Sequence, residues 1–439
     1  MLKTLRNALR VEDIRKRLLY TFFVILVVRF GSELPIPGVD RKYLAELFSN
    51  TSIDAFNFFD AMTGGSFANC SVFALSVTPY INASIIMQLL TIAIPKLEEI
   101  QKDGEEGKKK INQWTRYATV ILALIEATAM AIGFGNQLIV DYTWYNVVLV
   151  VLTMVGGSAL LMWIGEQSTE HGIGSGISII LLVNILARIP NDFLTLFNAF
   201  VKGQNIIVAL LAVVIILAVI VGMIAFVVLL SDGTRKIPVQ YAKRMQGRKT
   251  VGGQTSNIPL KVNTAGVIPV IFASSLMSFP AVIAQFFKVD YDTVGGTILL
   301  ALQSSSWCRF TADTWYYSFG LLLYIALIYG FAYFYTSITF NPTEVAENMK
   351  KQSGFIPGIR PGKPTAEYLN HALNYLVFIG ATGLLVVALI PIIVSGVFGV
   401  GQISFAGTSL IIVVGVVMEC IKQIESKMLV RYYKGFLND

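Results

Sequence analysis

The residues in this chain that could do chemistry are few, and several lie inside apolar stretches. Arg29, Glu126 and Glu419 are the clearest ionisable side chains within candidate membrane spans. A carboxylate at membrane depth can carry a proton or a cation, which is how ion-coupled transporters use such residues. Glu126 is the candidate for that role, because Arg29 and Glu419 fall toward span ends. His171, in the run GEQSTEHGIGSG, and His371, at the entrance of a span, are expected to face solvent or the interface. In the same run the pairs Gly172/Gly174 and Gly174/Gly176 permit a tight turn between two helices, a packing role before a phosphate cradle. The sequence contains no HExxH, GxSxG or GxxxxGK[ST] pattern, so no metalloprotease, nucleophile-elbow or nucleotide site is expected. Cys70, Cys308 and Cys420 lack metal-ligand spacing, and an odd count argues against a disulfide framework. They read as core or incidental thiols. No catalytic residue, metal ligand or cofactor is expected, and any energy input must come from a partner or an ion gradient.

What spacing offers instead is two apolar faces and a break. Val77, Ile81 and Ile85 lie at i, i+4 and i+8, so they share one helix face, and Ile177 and Leu181 do likewise. By spacing alone such faces are ordinary packing. Between Phe56 and Pro95, however, a run long enough to cross a bilayer is interrupted by Asp60, Gly64, Gly65, Asn69 and Pro79. Irregular polar backbone survives at membrane depth only inside protein or beside a water-filled cavity. A broken span therefore points to a pathway through the membrane rather than to an anchor.

The elements that must hold these residues follow from composition. The chain has 439 residues, 55% hydrophobic and only 14% charged, which marks a polytopic membrane protein. A span needs about 20 apolar residues, and ten candidates can be read. They are Leu18 to Leu34, the broken segment ending at Pro95, Thr115 to Phe134, Val147 to Gly165 and Ile173 to Ile189. The other five are Ile206 to Leu230, Thr264 to Phe287, Ser318 to Phe340, Leu373 to Val394 and Thr408 to Ile421. The fifth and tenth are short, as helices enclosed by neighbours can be. Ahead of the first, Leu2, Leu5 and Leu9 share one face of a basic stretch expected to lie as an interfacial helix, and the span itself does not read as a cleaved signal peptide. Of the 34 lysines and arginines, 27 fall in the N-terminus, in the loops 96–116, 235–261 and 350–363, and in the C-terminal tail. The intervening loops hold Arg41, Lys42, Arg188, Lys202, Lys288 and Arg309. Positive residues stay cytoplasmic, so both termini are expected inside, and most of the +7 net charge is topology. The spans divide five and five at the polar loop before Asn205, an arrangement that can place a pathway's waist at the midplane. The expected halves are 1–204 and 205–439.

Two cytoplasmic loops, at about 231–263 and 341–371, are long enough to imply a docking partner. The first mixes β-branched and basic residues with turn signals and reads as a projecting hairpin. The second begins as a short capped helix and then becomes a Pro/Gly turn presenting Arg360 between Ile359 and Pro361.

At this point the chain resembles, along nearly its whole length, the SecY family of bacterial protein-conducting channels. The stretches that carry the likeness are ELPIPGVD, FALSVTPYINASIIMQLL, GIGSGISII, VQYAKRM, NTAGVIPVIFASS and GFIPGIRPGKPT, in that order. The resemblance implies an all-α bundle of ten transmembrane helices in two pseudo-symmetric halves around an hourglass pore. By motif position its pore ring falls on Val77, Ile81, Ile85, Ile177, Leu181, Ile271 and Ile412, with valine at 77 where isoleucine is common. It implies a plug at about 56–76, as a half-helix from Asp60 to Phe73 that packs loosely and includes Met62, Thr63, Gly64, Gly65, Phe67 and Asn69. A lateral gate is implied between the second and seventh spans, with Asn82 and Ile85 facing Ser274, Ser275 and Phe279. Lys243, Arg244, Arg248, Lys249, Arg360 and Lys363 are implied as the docking face for the ribosome and the SecA motor. Implied partners also include the small membrane subunits SecE and SecG, signal peptides, preproteins and the lipid bilayer, in a bacterial plasma membrane. A secondary transporter for a small solute is the competing reading: it accounts for the broken helix but not for the docking loops.

Overall fold

Long apolar runs satisfy their backbone polar groups within themselves only as helices, and helices dominate here. The computed structural model describes residues 11–40, 60, 63–135, 138–202, 205–241, 244–246, 249–251, 255–286, 294–302, 307–308, 315–398 and 408–435. Its helices are α1 (Glu12–Glu33), α2 (Thr78–Ala93), α3 (Pro95–Lys102), α4 (Glu105–Phe134), α5 (Trp144–His171), α6 (Gly176–Phe200) and α7 (Ile206–Asp232). They continue as α8 (Ile268–Phe286), α9 (Val294–Leu302), α10 (Phe319–Thr339), α11 (Pro342–Lys351), α12 (Lys363–Phe398) and α13 (Thr408–Gly435). Ten of them (α1, α2, α4 to α8, α10, α12 and α13) lie where the ten spans were expected. Among the described residues six helices are individually long and apolar enough to cross a membrane, or seven if the bent α2–α3 pair counts as one span. The interfacial stretch around Leu2, Leu5 and Leu9 lies outside the described residues.

Two expectations about length and order are corrected. The fifth and tenth spans are not short: α6 has 25 residues and α13 has 28. A hydropathy reading stops at the first charged residue, but a helix continues wherever its charges reach a partner or the interface. Arg188, read as a loop residue, thus lies within α6 and pairs with Asp60. The broken segment also differs from expectation. α2 begins at Thr78, with Pro79 in its first turn, where the missing N–H breaks no helical bond. Residues 64–77 before it run through turns and one bridge rather than a half-helix. Left-handed backbone at Gly64, Gly65, Cys70 and Ser76 explains why no helix propagates there. Past Ile94 the chain bends by 107° into α3.

The buried side chains gather into several clusters. One, built around Leu138, Ile139, Val150 and Met154, draws only on residues 36–155. A second, around Trp307, Tyr324, Ile328 and Leu384, draws only on residues 223–418. A third joins residues from both ranges at the centre.

Outside the helices, β1 (Thr234–Tyr241) pairs antiparallel with β4 (Thr255–Lys261), opposing Ile237 to Ile258, and β2 (Arg244–Gln246) with β3 (Lys249–Val251). This is the hairpin expected of the first loop. The second loop adds something the pattern did not announce: β5 (Gly354–Phe355) joins the other edge of β1, opposite Gln240 and Tyr241. Ile237, Val239 and Leu260 of the sheet then bury against Met349, Ile356 and Leu369. The two loops are one packed body, so the all-α class carries a small sheet beside the bundle.

Candidate central constriction, its cover and the loop body

The centre is built where α2 and α6 begin. α6 starts close against α5, because a Cβ at Gly176 would stand 2.0 Å from the carbonyl oxygen of Gly165. The glycine run before it therefore has the packing role its spacing suggested. Gly174 has positive φ, and its N–H donates to the side-chain carbonyl of Gln423 on α13. That approach aims Ile177 and Leu181 inward. They meet Val77 and Ile81 from the start of α2, Ile271 from α8 and Ile412 from α13 in one apolar cluster. Val77 is fully buried, Leu181 is 5% exposed and Ile412 is 4% exposed. Val28, Phe73, Ile180, Ile185 and Val416 complete the packing. Ile85, two turns along α2 from Val77, stays partly buried outside this cluster. The arrangement can do one thing chemically: exclude water while offering a passing chain no polar group to hold.

Asp60 and residues 63–76 lie directly against this cluster, and they are not loosely packed. Thr63, Phe67, Cys70, Phe73 and Ser76 are buried. The Asp60 carboxylate accepts from the Ala68 N–H at 2.8 Å and pairs with Arg188. Arg29 of α1 donates to the Gly64 carbonyl at 3.0 Å, and Asn184 of α6 donates to the Ser76 hydroxyl at 3.0 Å. The chain after α1 straps the same segment, since Ile36 N–H donates to Cys70 O at 3.0 Å and Val72 N–H to Leu34 O at 2.9 Å. Met62 lies outside the described residues, and Asn69 is exposed.

The polar contact expected between the second and seventh spans is not made. Asn82 Nδ2 donates to Glu126 Oε1 on α4 at 3.2 Å, while the Ser274 hydroxyl lies 3.4 Å from the Tyr324 hydroxyl of α10. A polar group in apolar surroundings takes the nearest partner, and here each is found on a neighbouring helix of its own half. Glu126 therefore holds a side-chain amide in this structure. Ser275 is half-buried, and of Phe279 only the backbone, within α8, is described.

In the loop body built on the sheet, Arg360 and Lys363 are exposed. Thr365 Oγ1 donates to the Arg360 carbonyl at 2.8 Å, and Gly358 and Gly362 adopt positive φ on either side. Arg360 thus enters the turn through its carbonyl rather than its side chain, which leaves the guanidinium to be presented. Beside it a groove of about 600 Å³, lined in part by Glu347, Lys350, Lys363 and Glu367, runs between α11 and α12. Lys243 and Arg248 lie outside the described residues, and Arg244 and Lys249 are described only as backbone of β2 and β3. His171 is exposed with its ring 5.7 Å from Tyr20, and His371 and Glu419 are exposed. All three cysteines are free thiols.

Sequence reasoning missed Arg188 and Asn184. The signal was present: 177, 181, 184 and 188 step along one helical face, apolar at first and then polar.

Comparison with known proteins bears on this geometry. The family model for SecY matches residues 71–421. A relative from Halalkalibacterium halodurans, named protein translocase subunit SecY, is 42% identical over 448 residues and covers 100% of both chains. A solved structure described as a protein conducting channel aligns with TM-score 0.62 at 17% identity, covering 94% of this chain and 92% of that one. The channel of a canine ribosome-channel complex from the endoplasmic reticulum aligns with TM-score 0.61 at 16% identity, covering 94% and 92%. These two share the fold. With its apolar helices, the chain is a multi-pass membrane protein.

Proposed function

This chain belongs to the SecY family, and on that premise we propose that it is the pore subunit of a protein translocase. It conducts unfolded secretory polypeptides across a bacterial plasma membrane and releases transmembrane segments sideways between the second and seventh spans. The observation that carries this reading is the apolar cluster in which Val77, Ile81, Ile177, Leu181, Ile271 and Ile412 meet from four helices of both halves. In this reading 1–204 and 205–439 are the halves, the cluster is the pore ring, residues 60–73 are the plug, and both termini are cytoplasmic. It is a conduit without catalysis of its own, so ATP is spent by a motor. The fused cytoplasmic loops, with Arg360 presented on a turn held through its carbonyl, are the docking face for SecA and the ribosome. A solved relative in fold is itself part of a ribosome-channel complex, which supports the second partner. SecE and SecG complete the membrane complex.

The deciding experiment reconstitutes the chain with its small subunits in proteoliposomes and supplies SecA, ATP and a preprotein. Protease-protected preprotein is expected only when all three are present. Uptake of a small solute without any motor, and no protected preprotein, would refute the translocase reading.

A further inference from the structure

Residues 63–76, with Asp60 ahead of them, do not hold their shape by themselves. Cys70 and Ser76 take φ of +46° and +50°, a left-handed backbone that side-chain-bearing residues adopt only when their surroundings impose it. Gly64 is pressed so close to α6 that a Cβ there would lie 2.7 Å from the Cα of Asn184. Three tethers impose this conformation: Arg188 to the Asp60 carboxylate, Asn184 to the Ser76 hydroxyl, and Arg29 to the Gly64 carbonyl. Two come from consecutive turns of α6, on the face that carries Leu181 one turn and Ile177 two turns earlier.

Asp60 is the node of this arrangement. One carboxylate oxygen closes the loop 60–68 through the Ala68 N–H, and the other meets Arg188. Asp60 is 4% exposed, whereas the Arg188 side chain is 19% exposed. The two charges are therefore not equivalent. Removing the arginine leaves a carboxylate bare in the interior, while removing the carboxylate leaves a guanidinium that still reaches water. The geometry points to a charge clasp in which Arg188 and Asp60 hold the segment closed over the apolar ring, and parting them releases it. The proposal rests on reading this segment as the plug.

Because the helix face that lines the ring also carries Arg188, a polypeptide passing through the ring displaces the clasp and the seal together. The asymmetry in burial sets an order of effects that a merely structural contact would not give. Arg188→Gln should loosen closure most, Asp60→Asn less, and the double variant no more than Asp60→Asn alone.

The test measures ion conductance of the reconstituted, substrate-free complex in planar bilayers, with the deletion of 60–73 as reference. Arg188→Gln is expected to raise leakage at least about tenfold over the parent. The double variant should return to the Asp60→Asn level, and Arg188→Lys, which keeps the charge, should stay within about twofold of the parent. Parent-like leakage from Arg188→Gln, a double variant leakier than Arg188→Gln, or Arg188→Lys as leaky as Arg188→Gln would each overturn the clasp. If Arg188→Gln does not accumulate in the membrane, Asp60→Asn and Arg188→Lys decide: no rise in the first or a large rise in the second overturns it. If deleting 60–73 raises leakage but the point variants do not, the clasp fails while the plug reading stands. An unaltered deletion variant removes both.

Discussion

Replacing Leu181 by asparagine tests whether the central cluster is a seal or only a seam between two packed halves. Leu181 is 5% exposed and packs with Val77, Ile271 and Ile412. Asparagine is close to leucine in shape, so the cavity penalty is small, and the cost comes from an amide without partners. A buried unpaired polar group costs about 1–3 kcal/mol, to which the lost apolar transfer adds up to about 2 kcal/mol. In a permanent core that sum of roughly 2–5 kcal/mol falls on the folded state and appears as lost thermal stability. In a gate the protein escapes the cost by letting water in, and the same energy appears as a wetted, conducting fraction. Each 1.4 kcal/mol is about tenfold in such an equilibrium, so conductance of the substrate-free complex should rise by roughly one and a half to three and a half orders of magnitude. Leu181→Met conserves volume, with a cost below about 1.5 kcal/mol, and should conduct like the parent. The two readouts are planar-bilayer conductance and thermal unfolding in detergent. A lowered unfolding temperature with parent-like conductance would refute the seal and leave these residues as packing.

Arg360→Glu should abolish motor-driven export while shifting stability by less than about 0.5 kcal/mol, because the exposed side chain takes no part in holding its turn; export at the parental rate would reduce Arg360 to a topology charge. Arg360→Lys should also be impaired, since an ammonium cannot reproduce a two-pronged guanidinium contact, and preprotein protection assays read both. Gly176→Ala places a methyl 2.0 Å from the Gly165 carbonyl oxygen, against backbone that cannot yield as a side chain does. It should lower the unfolding temperature and membrane yield sharply, and a parent-like melt would show that α5 and α6 can separate freely. Glu126→Leu strands the Asn82 amide and should cost about 1–3 kcal/mol, while the double change Asn82→Leu/Glu126→Leu should recover most of that loss. A double variant as unstable as the sum of the singles would mean the two side chains are not each other's partners.

The sequence by itself determined what depends on local composition and period. Ten helices lie where ten apolar runs stand, since a membrane leaves the backbone no other way to satisfy its own polar groups. The first loop folds as a hairpin because its β-branched residues and turn signals are short-range properties. Asn341 caps α11 through the N–H groups of Thr343 and Glu344, likewise within one turn. Val77, Ile81, Ile177 and Leu181 were visible as two apolar faces, but spacing could not say that the faces meet, since it carries no information between helices. Spacing gave no reason to join Ile271 and Ile412 to these faces, which only the family resemblance implied, and tertiary structure alone decided that Ile85 stays out of the cluster. It alone gave β5 to β1, because a two-residue strand has no period of its own. It also moved Arg188 from a presumed loop into α6, and turned Asn82 toward Glu126 rather than toward Ser274. The reason is common to these cases. A buried polar or charged group takes whichever partner lies within hydrogen-bond reach, and that distance is set by how helices pack, over separations of 128 residues for Arg188 and Asp60 and 44 for Asn82 and Glu126.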